Sequence, residues 1–265
     1  MSGTEENVDY TNRSNDPLRV FLTSSKATKT GTHHYRFFLN LDASYDTYDI
    51  YFQLRQLQVA YSFYQINSTN NILSLNDEEY TIPPGNYSAT ELVELLNDHG
   101  TWNALDIAFT LNANTGKVTL SADSEFSWGL ATTANKLLGY TVIPSGSYSS
   151  FTSNRVVDVS PIKALNFHLI SVPSRSFAIY DSQEISRHIA TIFIGDAQPF
   201  TTLSWTDDSG FSESTLQNTL RTLEVTVYDQ NGIPVELQNG TFQMLLEFTF
   251  RPKKVWRLFY SPLDI

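Results

Sequence analysis

The stretch from Thr222 to Phe250 constrains the fold most, because it carries the cleanest alternation of apolar and polar residues in the chain. Leu223, Val225 and Val227 point one way and Thr222, Glu224 and Thr226 the other, a period of two that marks a half-buried strand. Asp229-Gln230-Asn231-Gly232 supplies a turn, since Asn and Gly accept positive φ at little cost. After a polar crossing that ends at Asn239-Gly240, Phe242, Met244, Leu246, Phe248 and Phe250 share one face of a second run. The two runs are expected to pair as long antiparallel neighbours. Thr241, Gln243, Glu247 and Thr249 can meet water, whereas the Phe/Met/Leu face needs a second sheet laid over it. The fold is therefore a sandwich or a barrel.

At 265 residues the chain can bury a sizeable core in one large domain. Its 14 Tyr and 17 Phe favour strands over helices. With no Cys, neither a disulfide framework nor a thiolate metal site is available. Met1 to Glu6 are polar and acidic, the wrong chemistry for a signal peptide, and no apolar run is long enough to span a bilayer, so synthesis inside the cell is expected. The Asn-x-Ser/Thr triplets at Asn67, Asn86 and Asn239 then read as loop and turn residues. A net charge of −11 repels nucleic acid and anionic membranes over most of the surface.

Residues 1 to 17 lack periodicity and read as a flexible arm. Arg19 to Leu22 is a first strand, and Tyr35, Phe37, Leu39 and Leu41 alternate in a second. A long third strand carries Ile50, Phe52 and Leu54 inward, slips in phase at Arg55-Gln56, and resumes as Leu57, Val59, Tyr61 and Phe63. A slip of one residue predicts a β-bulge.

From about 78 to 150 the pattern changes. Ser88-Ala89-Thr90-Glu91 is a capping box that opens a helix with Leu92, Leu95 and Leu96 on one face and Gly100 at its end. Ile107 to Leu111 and Lys117 to Leu120, joined by Asn112 to Gly116, predict a hairpin. A second helix is expected over Leu130 to Leu138, and Tyr140 to Thr152 reads as the loop back. This helix–hairpin–helix unit is an excursion between strands of the 18–250 body, because no linker precedes it. Strands resume at Leu165 to Leu169, around Phe177 and Ile179, and at Ile189 to Ile194. Gly195 to Gln217 reads as a long polar connection, and the tail from 251 to 265 is the one basic island of an acidic chain. Roughly eight body strands with an inserted segment suit an all-β jelly roll.

Ser62-Phe63-Tyr64-Gln65-Ile66-Asn67, Asn70-Asn71, Tyr80 to Ser88, Glu91-Leu92, Leu96-Asn97, Thr115 to Val118, Leu137 to Tyr140 and Tyr228 to Gly232 occur in an order that resembles the penton, or minor capsid, proteins of virophages and Polinton-like viruses. The resemblance covers most of residues 50 to 250. It implies a jelly roll that forms homopentamers at the vertices of an icosahedral virion, beside a major capsid protein, with no cofactor, no small-molecule substrate and no catalysis.

Other chemistries find less support. His33-His34 has no third ligand at metal-binding spacing, and Asp77-Glu78-Glu79 and Asp207-Asp208 follow no calcium-loop pattern. There is no Gly-x-Ser-x-Gly elbow. Loop Tyr and Trp residues keep a glycan-binding attachment module as the alternative, with a jelly-roll hydrolase behind it. The candidate partner-binding residues are Arg251, Lys253, Lys254, Trp256, Arg257, Phe259 and Tyr260, which offer aromatic area and positive charge to an acidic protein surface rather than to nucleic acid.

Overall fold

A computed structural model describes residues 17–39, 48–170, 179–181, 184–186, 188–207, 213–214 and 222–252. In chain order the elements are β1 (Leu18–Thr23), β2 (Thr28–Lys29), β3 (His34–Phe38), β4 (Tyr48–Ala60), β5 (Ile72–Leu75), β6 (Glu78–Thr81), α1 (Ala89–Asn97), α2 (Gly100–Ala104), β7 (Ile107–Asn112), β8 (Lys117–Ser127) and β9 (Ser147–Thr152). They continue as β10 (Ala164–Leu169), β11 (Ile179–Asp181), β12 (Glu184–Ser186), β13 (His188–Phe193), β14 (Thr202–Thr206), β15 (Glu213–Ser214), β16 (Thr222–Asp229) and β17 (Phe242–Pro252).

Two sheets form the body. One runs β1-β17-β4-β14, with β15 also beside β4, and the other runs β13-β10-β16-β3-β2. Neighbours in each are antiparallel. Successive long strands of the body therefore cross from one sheet to the other, except that β10 and β13 pair within one sheet, and this is the winding of a jelly roll.

The expected pairing of the two C-terminal runs is corrected here. β16 bonds to β10 and β3, while β17 bonds to β1 and β4, so the runs lie in opposite sheets. Both carry an apolar face, and placing them opposite each other buries both faces in one core. The Phe242 ring meets Tyr35 at 4.9 Å, Phe167 at 5.4 Å and Phe37 at 6.0 Å, all three from the facing sheet. The connection between the runs is not a polar hairpin loop. Val235 and Leu237 are buried within it, and it seals one end of the sandwich.

The phase slip in β4 is a bulge. Leu245 pairs with Gln56 and Leu246 with Leu54, which leaves Arg55 as the extra residue. The Arg55 side chain then reaches the outer face, where it donates to Glu247 at 2.8 Å.

Between β4 and β10 the chain builds a second core around Leu73, Leu92, Leu96, Trp102, Val118, Leu120, Leu138 and Tyr140. The capping box is present: Ser88 Oγ accepts from Glu91 N–H at 3.2 Å and Glu91 Oε2 accepts from Ser88 N–H at 2.7 Å. That bond holds the Glu91 carboxyl below its ordinary range. Ser88→Ala should cost about 1 kcal/mol, read as a lowered midpoint in chemical denaturation; an unchanged midpoint would mean the cap is idle.

Two expectations fail in this segment. Residues 130–139 form turns rather than a helix, and the second helix is α2, so both helices precede the β7–β8 hairpin. Leu130 is 93% exposed, whereas Ala134, Leu137 and Leu138 are buried in the second core, and side-chain bonds brace the turns: Thr132 Oγ1 donates to Ser74 O, and Asn135 Nδ2 to Tyr140 O. The expected return loop also contains β9, which adds a third strand to the hairpin. In the body, Thr202–Thr206 likewise forms a strand on β4 with Leu203 buried, where a polar connection was expected. The hairpin itself is as expected, with Asn112 Oδ1 accepting from Asn114 and Thr115 N–H and Gly116 at φ 64°. The candidate strand residue Phe177 lies outside the described residues.

Gln65 ties the two ends of the inserted segment together. Its Nε2 donates to Tyr61 Oη at 2.6 Å and to Ile162 O at 3.1 Å, and its Oε1 accepts from Ile162 N–H at 2.8 Å. Asn86 adds a second tie, accepting from Gln65 N–H and donating to Phe63 O. These side chains join outgoing and returning chain at a single neck.

Candidate functional site

The basic and aromatic residues of the tail begin at the end of β17. Arg251 is exposed there, with its guanidinium 4.4 Å from the centre of the Tyr51 ring, a cation–π contact across the strand pair. Lys253, Lys254, Trp256, Arg257, Phe259 and Tyr260 lie outside the described residues, as does the arm before Pro17.

The outer face of the β1-β17-β4-β14 sheet has an ionic centre that alternation alone misreads. Glu247 occupies a position expected to meet water, yet it is buried between Arg55 and Arg19, which donate at 2.8 Å and 3.2 Å. The Arg55 hydrogen bond, aided by Arg19, holds its carboxyl below the ordinary range. Asp207 accepts from Gln53 Nε2 at 3.0 Å on the same sheet. These groups are engaged with one another.

A groove of about 800 Å³ runs between the sandwich and the inserted segment, lined in part by Tyr64, Asn67, Asn70, Asn135, Lys136 and Glu236. Three of its amides are committed to backbone: Asn67 Nδ2 donates to Tyr64 O, Asn70 Nδ2 to Gln65 O, and Asn135 Nδ2 to Tyr140 O. They brace the walls of the groove.

The candidate metal and acidic positions have structural surroundings. His34 Nε2 sits 3.1 Å from Glu224 Oε2, and the His33 ring packs on Tyr228. Asp77 shapes the tight β5–β6 turn at φ 65°. Among the described residues, no three His, Asp or Glu side chains converge to hold a metal ion, and no helix is long and apolar enough to cross a membrane.

The surface features that alternation did not reveal are exposed rings on the two flanks of the sandwich. β13 and β14 are the outermost strands of their sheets on one flank. Phe193, the last residue of β13, is 78% exposed, and Phe200, in the connection to β14, is 85% exposed. Phe200 has φ 67°, a left-handed conformation that costs a bulky side chain energy, and its N–H donates to Tyr61 O at 2.8 Å. The opposite flank is bounded by β1 and β2 and exposes Phe21 on β1 and Phe38 on β3. The signal for Phe200 was an aromatic residue in a Pro-Phe-Thr-Thr turn between strands, where packing alone gives it no place.

No family model matches the chain, and no curated protein does. Among solved structures, the chain is similar to the mavirus penton protein at 10% identity over 88% of this chain and 99% of that one, with a TM-score of 0.46. It is also similar to a chain of the Sputnik virophage structure at 12% identity over 88% of this chain and 98% of that one, with a TM-score of 0.42.

Proposed function

We propose that the chain is a structural capsid protein that closes into a pentameric vertex ring of an icosahedral virion, as the penton proteins it resembles in sequence would. The observation that carries this reading is the pair of unlike flanks. Among the described residues, each flank ends in strands with no further strand beside them and carries large exposed rings, Phe193 and Phe200 on one and Phe21 and Phe38 on the other. Such edges invite pairing with another chain unless they are covered. Contact between two different patches generates a ring when the rotation closes, whereas a two-fold dimer requires one patch to meet itself. The Gln198–Thr201 turn, closed by Thr201 N–H on Gln198 O, sets Phe200 at positive φ and leaves its ring in water, where a neighbouring subunit would cover it. In this reading the tail from Arg251 to Tyr260 and the arm before Pro17 reach a neighbouring capsid protein, whose acidic surface would suit the tail's charge.

Sedimentation at micromolar concentration tests the ring. The expected species is about five times the 30.0 kDa chain, alone or in equilibrium with monomer. Phe200→Ser should leave a folded monomer and remove the ring. A stable dimer, or a ring that survives Phe200→Ser unchanged, overturns the assignment.

A further inference from the structure

Four of the chain's five histidines lie on or beside the outer face of the β13-β10-β16-β3-β2 sheet. His34 on β3 is opposite Thr226 on β16, Thr226 is opposite His168 on β10, and His168 is opposite His188 on β13. The four residues form one row across four strands, with a β-bulge at Ile189 beside its β13 end. The inward residues of these strands are Tyr35, Val225, Val227, Phe167 and Ala190, so the row points away from the core. It is nevertheless well covered. Thr226 is 3% exposed, and the His168 ring lies 5.7 Å from His188 and 5.2 Å from Tyr228. Tyr228 also packs on His33 at 5.1 Å.

We propose that His188 and His33 make this outer face of the sheet acid-sensitive: it holds together while their imidazoles are neutral and loosens when mildly acidic surroundings protonate them. The inference is independent of the capsid reading.

The bonding at His188 fixes where the proton goes. Thr191 Oγ1 donates its hydrogen to Asn166 Oδ1 at 2.8 Å, so it accepts from His188, whose Nε2 lies 2.6 Å away. Nε2 is therefore the protonated nitrogen of the neutral ring, and an added proton enters at Nδ1. That charge develops on a half-buried ring beside His168, and a second charge on His33 would develop beside His34. Arg36 from β3 and Glu224 from β16 are charged groups on this face. Glu224 is already bonded to Arg36 at 2.7 Å and lies 3.1 Å from His34 Nε2. Asp229 at the far end of β16 accepts from Asn231 and Ile233 N–H and is turned into its own loop.

Burial lowers the affinity of His188 and of His33 for a proton below the ordinary value of 6.5, with His34 adding repulsion at His33. The unfolded chain then takes up these protons more readily than the folded one. The stability these residues contribute is complete above the ordinary value and is lost as pH falls through their lower folded values. Paired carboxylates such as Glu247 and Glu91 act in a lower window, since their folded affinities are depressed from 4.5.

Thermal melting of the full chain between about pH 7.5 and 5.5, above the carboxylate window, tests the proposal. Wild type should lose roughly 2–5 °C across that range, and the double variant His168→Gln/His188→Gln should lose less than half as much. A flat wild-type profile, or equal losses in both proteins, overturns it. Should the double variant fail to fold, an NMR titration of the wild-type imidazole protons decides instead: midpoints for His188 and His33 below the ordinary value are expected, and midpoints at or above it overturn the proposal.

Discussion

Phe242→Ala is expected to reduce the unfolding free energy by about 3–5 kcal/mol, the largest loss of any single truncation considered. Phe242 is fully buried and stands where the two sheets meet, with Tyr35, Phe37 and Phe167 of the opposite sheet around its ring. Its backbone N–H is also spent, donating to Ser24 Oγ at 2.9 Å. Truncation removes apolar contact and opens a cavity that four strands would have to collapse to fill, and close-packed sheets relax only in part. The denaturation midpoint should fall with an unchanged slope. Leu130→Ala, at a side chain already in water, should stay within about 0.5 kcal/mol of wild type. Similar losses for the two variants would show that the packing described around Phe242 is wrong.

Gln65→Ala should cost roughly 2–4 kcal/mol, although it removes no apolar contact. The amide satisfies both backbone groups of Ile162 and the Tyr61 phenol inside a buried neck. Without it those groups lose their partners away from water, and a buried unpaired group costs more than a formed bond contributes. The readout is local as well as global. Hydrogen exchange at Ile162 should accelerate relative to amides in β16, and equal protection in variant and wild type would show that the neck is held by something else.

The strands were legible because alternation reports which face is buried, and the Arg55 slip was legible because a bulge breaks that alternation by one residue. Pairing was less so. β16 and β17 are consecutive and share a turn signal, which suggests a hairpin; their partners in opposite sheets and the burial of Val235 and Leu237 make the link a crossing between sheets. The helix expected over Leu130 to Leu138 is a chain of turns instead, closed by Thr132 and Asn135 side chains whose partners, Ser74 O and Tyr140 O, the local sequence does not announce. Glu247 defeated the pattern differently. A carboxylate on an outward position reads as solvated, and its burial depends on Arg19 and Arg55, which lie far away in sequence. The exposed phenylalanines were invisible because a pattern of periods assumes that a large apolar residue is buried.

The position of β17 also governs when the protein can form. This strand is the last described element of the chain, and it lies between β1 and β4, two of the earliest. During synthesis, therefore, β1 and β4 wait without their shared partner until the final described residues emerge. The inserted segment has no such delay, because its strands pair β5 with β6, β7 with β8 and β8 with β9, each with its neighbour in sequence. The natural order of events on the ribosome is then outside-in: the insertion matures first, while the older sandwich strands hold unpaired edges that other nascent chains can reach. Dense polysomes would be the most hazardous place for such a molecule, and its yield depends on how quickly the last stretch of chain is delivered.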